Sequence, residues 1–276
     1  MFSIHSHSNR DKTFYSNKTK YFFSYFCHVI SNKMKRYGLI GHPLKHSYSR
    51  ELFTKKFEYE GLDFRYQNFD LKTIEELKEV MATYPDLCGF NVTIPYKEAI
   101  IPYLDELDET AKQVGAVNVV TIKNGRLKGY NTDVYGFEQL LERAINSKAI
   151  GHALVLGTGG ASKAVQYVLK QRQIPFSTVS RDAEKGDFTY DTLSDEILKQ
   201  NQLIINTTPL GMSPQIDNFP EIHYQAMSNK HILIDLIYNP KETAFMELGK
   251  TWGAKVYGGI LMFEEQAKKT WEIFNG

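Results

Sequence analysis

Short apolar runs alternate with amphipathic stretches along most of this chain, and glycine, proline or polar turns separate them. Residues 37–40 and 64–69 read as strands, and residues 74–84 as an amphipathic helix. Phe90, Val92 and Ile94 alternate with Asn91 and Thr93, which predicts a strand with one core face and one polar face. Pro95 ends that strand because it has no N–H for a ladder. Residues 101–114 carry helical character, and residues 115–122 are strand-like. Asn124-Gly125, flanked by 119–122 and 127–130, is a strong hairpin turn. Phe137, Leu140, Leu141, Ala144 and Ile145 form one stripe of a helix that starts at Asp133. Four consecutive apolar residues, 153–156, then predict a buried parallel strand. It runs into Gly157-Thr158-Gly159-Gly160-Ala161 and a helix with Ala164, Val165 and Val168 on one side. Further strands fall at 176–180, 203–206, 232–235 and 255–257, a helix at 243–248, and a last helix at 260–274 after Gly258-Gly259. Strands alternating with helices make the fold class α/β, with 146–151 as the boundary between two units.

Composition narrows the class without identifying it. The 276 residues allow one large or two modest domains, and 42% apolar with 24% charged residues is globular. A net charge of +1 gives no long-range pull toward nucleic acid or membranes, so neither is expected as a partner. No apolar run approaches the ~20 residues of a membrane span. Cys27 and Cys88 alone make neither a disulfide framework nor a zinc site; no metal is expected, and a reducing, cytoplasmic location is. Residues 1–33 differ from the rest, being rich in Ser, Asn, Lys and aromatics without a period. The run at 21–26 is too short and polar-interrupted for a signal-peptide core, and Met34 reads as a normal start. The expectation is a disordered extension from an upstream start codon.

Candidate chemistry sits at the ends of the predicted strands. The glycine turn after 153–156 lets the backbone approach a phosphate at a helix N-terminus, although Ser162 occupies the place of a third glycine. A strand–turn–helix that merely needs glycine is the plainer alternative. Dinucleotide folds that use NAD place an acid about 20 residues past the glycines, and NADP users favour arginine. Ser180-Arg181 stands there, with Asp182 beside it, which favours NADP. Lys97 lies just past the carboxyl end of a strand, where ligands sit in α/β sheets, although most lysines are solvated surface groups. Asp133 opens a helix and could serve as an ordinary cap. Asn118 interrupts an apolar strand, either as a satisfied core amide or as a ligand contact. Ser47 and Ser49 point the same way in an extended segment and could hold a small carboxylate; alternatively Ser49 caps the helix that follows.

The segments 37–43, 46–49, 91–97, 115–118, 131–133, 157–161, 206–212, 235–240, 258–259 and 266–267 occur in the order of shikimate dehydrogenases, and together the chain resembles that family from about Lys35 onward. The resemblance implies two α/β domains around a cleft. Residues 34–133 would form the substrate domain and 134–259 a Rossmann-like NADP domain, with the helix at about 260–276 packing back on the first. It implies reversible reduction of 3-dehydroshikimate to shikimate, on the route to chorismate and the aromatic amino acids. Lys97 and Asp133 would be the acid–base pair. Ser47, Ser49, Asn91, Thr93, Asn118, Tyr238 and Gln266 would hold the substrate. Gly157, Thr158, Gly159, Gly160, Ala161, Ser180, Arg181, Thr207, Leu236 and Gly259 would line the NADP site. A monomer or homodimer is expected, opening and closing about hinges near 131–133 and 238–243. The stretch after Arg181 is shorter than the family pattern, with Lys185 as a substitute phosphate contact. The rival readings are a quinate-preferring relative using NAD or both cofactors, a non-catalytic NADP-binding regulator, and a methylene-tetrahydrofolate dehydrogenase-like enzyme. The regulator would need neither Lys97 nor Asp133, and the last would lack these hydroxyl-rich motifs.

Overall fold

The computed structural model describes residues 34–44 and 48–276; the expectation for residues 1–33 lies outside them. The first part of the chain folds as β1 (Lys35–Gly41), α1 (Tyr48–Tyr59), β2 (Phe64–Asp70), α2 (Leu77–Thr83), β3 (Leu87–Val92), α3 (Tyr96–Ala99), β4 (Glu106–Leu107), α4 (Glu109–Val114), β5 (Val119–Lys123) and β6 (Arg126–Tyr130). Its strands form one mixed sheet in the order β2-β1-β3-β5-β6-β4, with β1 parallel to β2 and β3, and β5 antiparallel to both β3 and β6. Asn124 and Gly125 both take positive φ, 53° and 77°, the backbone that a two-residue hairpin turn requires.

Side chains alternate cleanly across this sheet. Ile40, Phe90 and Val120 face one apolar layer, completed by Leu77 and Tyr96. Tyr37, Leu39 and Val119 face the other, completed by Phe53, Phe57 and Phe274. Residues 101–114 are not a continuous helix. A short 3-10 turn, β4 and α4 replace it, because Asp105 pairs through its backbone N–H with Leu127 and draws the segment onto the sheet edge. Ile94 lies beyond the end of β3 and is exposed, so the core face of that strand stops at Val92.

The second part begins with α5 (Asp133–Ile145) and continues as β7 (Ala153–Leu156), α6 (Gly160–Gln171), β8 (Phe176–Val179), α7 (Asp195–Gln200), β9 (Leu203–Asn206), β10 (Ile232–Asp235), α8 (Ala244–Thr251), β11 (Lys255–Tyr257) and α9 (Ile260–Asn275). All five strands are parallel, in the order β11-β10-β9-β7-β8. Every residue of β7, β9 and β10 is buried, as unbroken apolar runs in a doubly covered parallel sheet should be. Strand order reverses between β7 and β9, and a doubly wound sheet binds its ligand at such a point.

Two helices tie the sheets together. The stripe Phe137, Leu140, Leu141, Ala144 and Ile145 of α5 packs under the second sheet with Val165, Ile205 and Met262. The far end of α9 returns to the first sheet, where Phe274 stacks on Tyr37 at 4.5 Å between ring centroids and Trp271 lies 5.5 Å from Phe57. Gly136 permits this crossing, since a Cβ there would lie 2.4 Å from the Met262 carbonyl on α9.

Candidate active site

The carboxyl ends of β3 and β6 meet the glycine turn of the second sheet. After β3, Pro95 turns the chain into the single turn α3, which carries Lys97. After β6, Thr132 is the residue before α5, and Asp133 is the first helical residue rather than its cap. This frees the Asp133 carboxylate to face inward. Lys97 Nζ donates to Asp133 Oδ2 at 2.5 Å, and both side chains are largely buried, 16% and 7% exposed. Asn118 Nδ2 donates to the other carboxylate oxygen at 2.9 Å, so both sides of Asp133 are fixed.

Behind the pair lies a buried polar network. Asn118 Oδ1 accepts from the Thr132 N–H at 2.7 Å, and Asn118 Nδ2 also donates to Thr132 Oγ1 at 2.9 Å. Thr132 Oγ1 lies 3.2 Å from Thr270 Oγ1 and 3.3 Å from Gln266 Oε1 on α9. Asn91 Nδ2 donates to the Asn118 carbonyl and to Thr270 Oγ1, and Asn91 Oδ1 accepts from the Tyr66 hydroxyl at 2.7 Å. Ser49 is hydrogen-bonded to the same tyrosine, whose ionisation burial opposes. Tyr238 stacks on Phe263 at 4.5 Å and lies edge-on to Tyr48 at 5.4 Å. Burial, the neighbouring Tyr48 hydroxyl and the Asp133 charge push its phenol up to about 12, which keeps Tyr238 a neutral donor.

The glycine turn stands directly across from this pair. Gly157 has φ +108°, and a Cβ there would lie 2.7 Å from Thr207 Oγ1. Ser162 is fully buried and donates to the Gly157 carbonyl at 2.6 Å, so a hydroxyl closes the turn where a third glycine would stand. Gly159 leads into α6, and nothing lies within 4 Å of the place a Cβ would take, so its backbone faces open space. A Cβ on Gly160 would lie only 2.9 Å from Lys97 Cβ. The absent side chain therefore brings the start of α6 against the lysine.

Known proteins match the chain over most of its length. Residues 39–120 match the family model of the shikimate dehydrogenase substrate binding domain. An NADP(+) shikimate dehydrogenase of Methanosphaera stadtmanae is 37% identical over 267 residues, covering 90% of this chain and 94% of that protein. This chain belongs to the shikimate dehydrogenase family. The Aquifex aeolicus NADP(+) shikimate dehydrogenase is also 37% identical, over 258 residues, with 90% and 94% covered. A shikimate dehydrogenase solved in complex with NADP+ superposes with a TM-score of 0.76 at 34% identity, covering 88% of this chain and 90% of that one. The Thermus thermophilus enzyme, solved with NADP(H) and shikimate, gives 0.77 at 29% identity, covering 88% and 94%.

In this family member the residues singled out by sequence fall into two groups on facing elements. Asn91, Thr93, Lys97, Asn118 and Asp133 surround the ends of β3 and β6, with Gln266 and Tyr238 closing over them. Ser49 lies inside α1 rather than capping it, and Ser47 falls outside the described residues. Thr158 and Gly159 lie in the turn beyond β7, Gly160 and Ala161 open α6, and Thr207 donates to the Leu156 carbonyl at 2.7 Å beside them. Gly259 is held against Leu236, where a Cβ would meet the Leu236 carbonyl at 2.1 Å. Ser180 accepts from the Asp182 N–H beyond β8, Arg181 is exposed, and Lys185 pairs with Asp182 at 3.1 Å.

Sequence reasoning gave no role to Tyr66 or Thr270, and it took Asp235 only as the head of the 235–240 segment. Asp235 is fully buried at the end of β10, accepting from Asn206 Nδ2, the Ile237 N–H and Thr243 Oγ1. Thr270 lies four residues beyond Gln266, one turn along the same helix face, and that spacing is the signal that could have found it.

Proposed function

We propose that this protein is a cytoplasmic oxidoreductase that reversibly reduces 3-dehydroshikimate to shikimate with NADPH, in the shikimate pathway. The observation that carries the reading is the Lys97–Asp133 pair, 2.5 Å apart, with Gly160 of the glycine turn pressed against Lys97. The residues around that turn suit a dinucleotide: a cradle that a Cβ on Gly157 would fill, open backbone at Gly159, and Arg181 beyond β8 for a 2′-phosphate. NADPH, when bound, supplies the hydride. Lys97 answers the negative charge that grows on the substrate's carbonyl oxygen, and the Lys97–Asp133 pair delivers the proton that completes the hydroxyl. Asp133 fixes the ammonium, and Asn118 fixes Asp133. In the reverse direction the pair removes the hydroxyl proton.

Substrate selection follows from the polar lining. Ser47, Ser49 and Tyr238 would take the carboxylate, while Thr93, Asn91, Asn118 and Gln266 would surround the ring hydroxyls. A site lined by such groups rejects analogues that lack a hydroxyl more strongly than an apolar pocket could. Residues 34–133 with 260–276 would form the substrate domain and 134–259 the NADP domain, in a monomer or homodimer. Among the described residues no helix is long and apolar enough to cross a membrane. Purified protein mixed with shikimate and NADP is expected to raise absorbance at the reduced-nicotinamide band. No rise with shikimate and NADP would overturn the reading, and a faster rise with quinate or NAD would favour the quinate-type alternative.

A further inference from the structure

We propose that Thr270, on the inner face of α9, is a positioning residue that keeps the Gln266 carboxamide oxygen available to the substrate. This inference rests on the shikimate dehydrogenase reading. Thr270 is fully buried, and its hydroxyl donates to the Gln266 backbone carbonyl at 2.8 Å. A threonine that bonds back to the preceding turn does nothing for the helix itself. A buried hydroxyl in an apolar layer is unfavourable unless its lone pairs are used. Here they are used by the site: Asn91 Nδ2 lies 3.5 Å away on β3, and Thr132 Oγ1 lies 3.2 Å away at the start of α5. Thr270 is thus where α9 meets both elements that carry the polar site.

The arithmetic of protons gives the contact its role. Thr132 has one hydroxyl proton and three acceptors within reach: Thr270 Oγ1 at 3.2 Å, Gln266 Oε1 at 3.3 Å and Asn118 Oδ1 at 3.3 Å. Asn118 Oδ1 already accepts the Thr132 N–H at 2.7 Å. With the Thr270 proton on the Gln266 backbone, its oxygen receives the Thr132 proton. Gln266 Oε1 then stays open toward a ring hydroxyl, and its Nε2 is held by the Phe263 carbonyl at 3.0 Å. Removing the Thr270 oxygen turns the Thr132 proton toward Gln266 Oε1, which takes up one of that oxygen's two lone pairs and draws the carboxamide toward Thr132 and away from a ring hydroxyl, and leaves Asn91 Nδ2 with the Asn118 carbonyl as its remaining partner.

The test is Thr270→Val, which preserves shape, beside Thr270→Ser, which preserves the hydroxyl. Thr270→Val is expected to raise KM for shikimate roughly tenfold, the size of one lost hydrogen bond, while KM for NADP stays within about twofold. Thr270→Ser is expected to restore shikimate KM to near wild type, and Thr270→Val is expected to have little effect in a Gln266→Ala background. If the valine variant does not fold, Thr270→Ala takes its place in the same comparison. Unchanged shikimate KM in the valine or alanine variant, equal damage from serine and valine, or parallel losses for both substrates would overturn the assignment. A wild-type protein inactive on shikimate would instead sink the functional reading beneath it.

Discussion

Lys97 is set apart from an ordinary surface lysine by what surrounds it. A lysine at the end of a strand is ordinarily a solvated group, yet here the side chain is 16% exposed and its ammonium is held against a carboxylate. Asp133 in turn is held by Asn118 from the opposite side. In the proposed reaction the charge would be fixed in place before substrate arrives, leaving little reorganisation for the moment when negative charge grows on the carbonyl oxygen. On the proposed reading, substrate binding would draw on other groups, namely Ser49, Tyr238 and Gln266. Lys97→Ala is expected to leave shikimate affinity largely intact and to lower turnover by about 10²–10⁴-fold, the range for losing a general acid or base. Equilibrium binding by fluorescence and steady-state rates would separate the two effects. Near-normal turnover in the variant would remove Lys97 from the chemistry.

At the scale of elements, Asp235 shows how a buried charge shapes the cofactor edge of the second sheet. It joins the loop after β9, through Asn206, to the loop after β10, through the Ile237 N–H and Thr243. Asn206 in turn holds the Thr208 N–H and hydroxyl. Burial pushes the Asp235 carboxyl up to about 6, against the opposing pull of its three hydrogen bonds. A carboxyl raised in this way favours the folded state when protonated. Below about pH 4 it is protonated in both folded and unfolded chains, and its contribution is lost as pH climbs through 6. Asp235→Asn keeps acceptors for Ile237 and Asn206 but cannot ionise. Between pH 4 and 7 the variant should gain about 3 kcal/mol relative to wild type. Urea unfolding of both proteins across that range would show it, and a difference independent of pH would refute it. Elements of this kind were largely legible in the sequence, because the buried runs of β7, β9 and β10 and the Asn124-Gly125 turn carry local signals. The stretch 101–114 was not, since pairing of residue 105 with Leu127 overrides its helical period. Lys97 and Asp133 were legible as motif positions. Tyr66 and Thr270 were not, because their roles depend on contacts between elements as far apart as Asn91 and Thr270.

The whole molecule works by bringing two sheets to one line of contact, and Gly160 lies on it. Ala116 and Val114 from the first part pack against Ala164 of α6, and Lys163 pairs with Glu98 at 2.5 Å. Small residues along this seam let α6 approach the end of β3, and the closest approach is at Gly160, where a Cβ would lie 2.9 Å from Lys97 Cβ and 3.4 Å from Lys97 Cδ. The glycine is not in a left-handed conformation, so its role here is space rather than backbone freedom. Gly160→Ala is therefore compatible with the helix, changing its intrinsic stability by less than about 1 kcal/mol. The added methyl must instead displace Lys97 or move α6 away from it. A shift of even 1 Å between reacting groups costs on the order of 10²-fold in rate. The expectation is a variant with a thermal midpoint close to wild type and turnover lower by about that factor. Gly159→Ala, where no protein atom lies within 4 Å of the added carbon, is expected to leave the Lys97–Asp133 pair in place and to act on NADP affinity. Calorimetry beside steady-state rates for the two variants distinguishes these effects. Gly160→Ala with turnover within twofold of wild type would mean that the approach of the two sheets at this point does not set the rate.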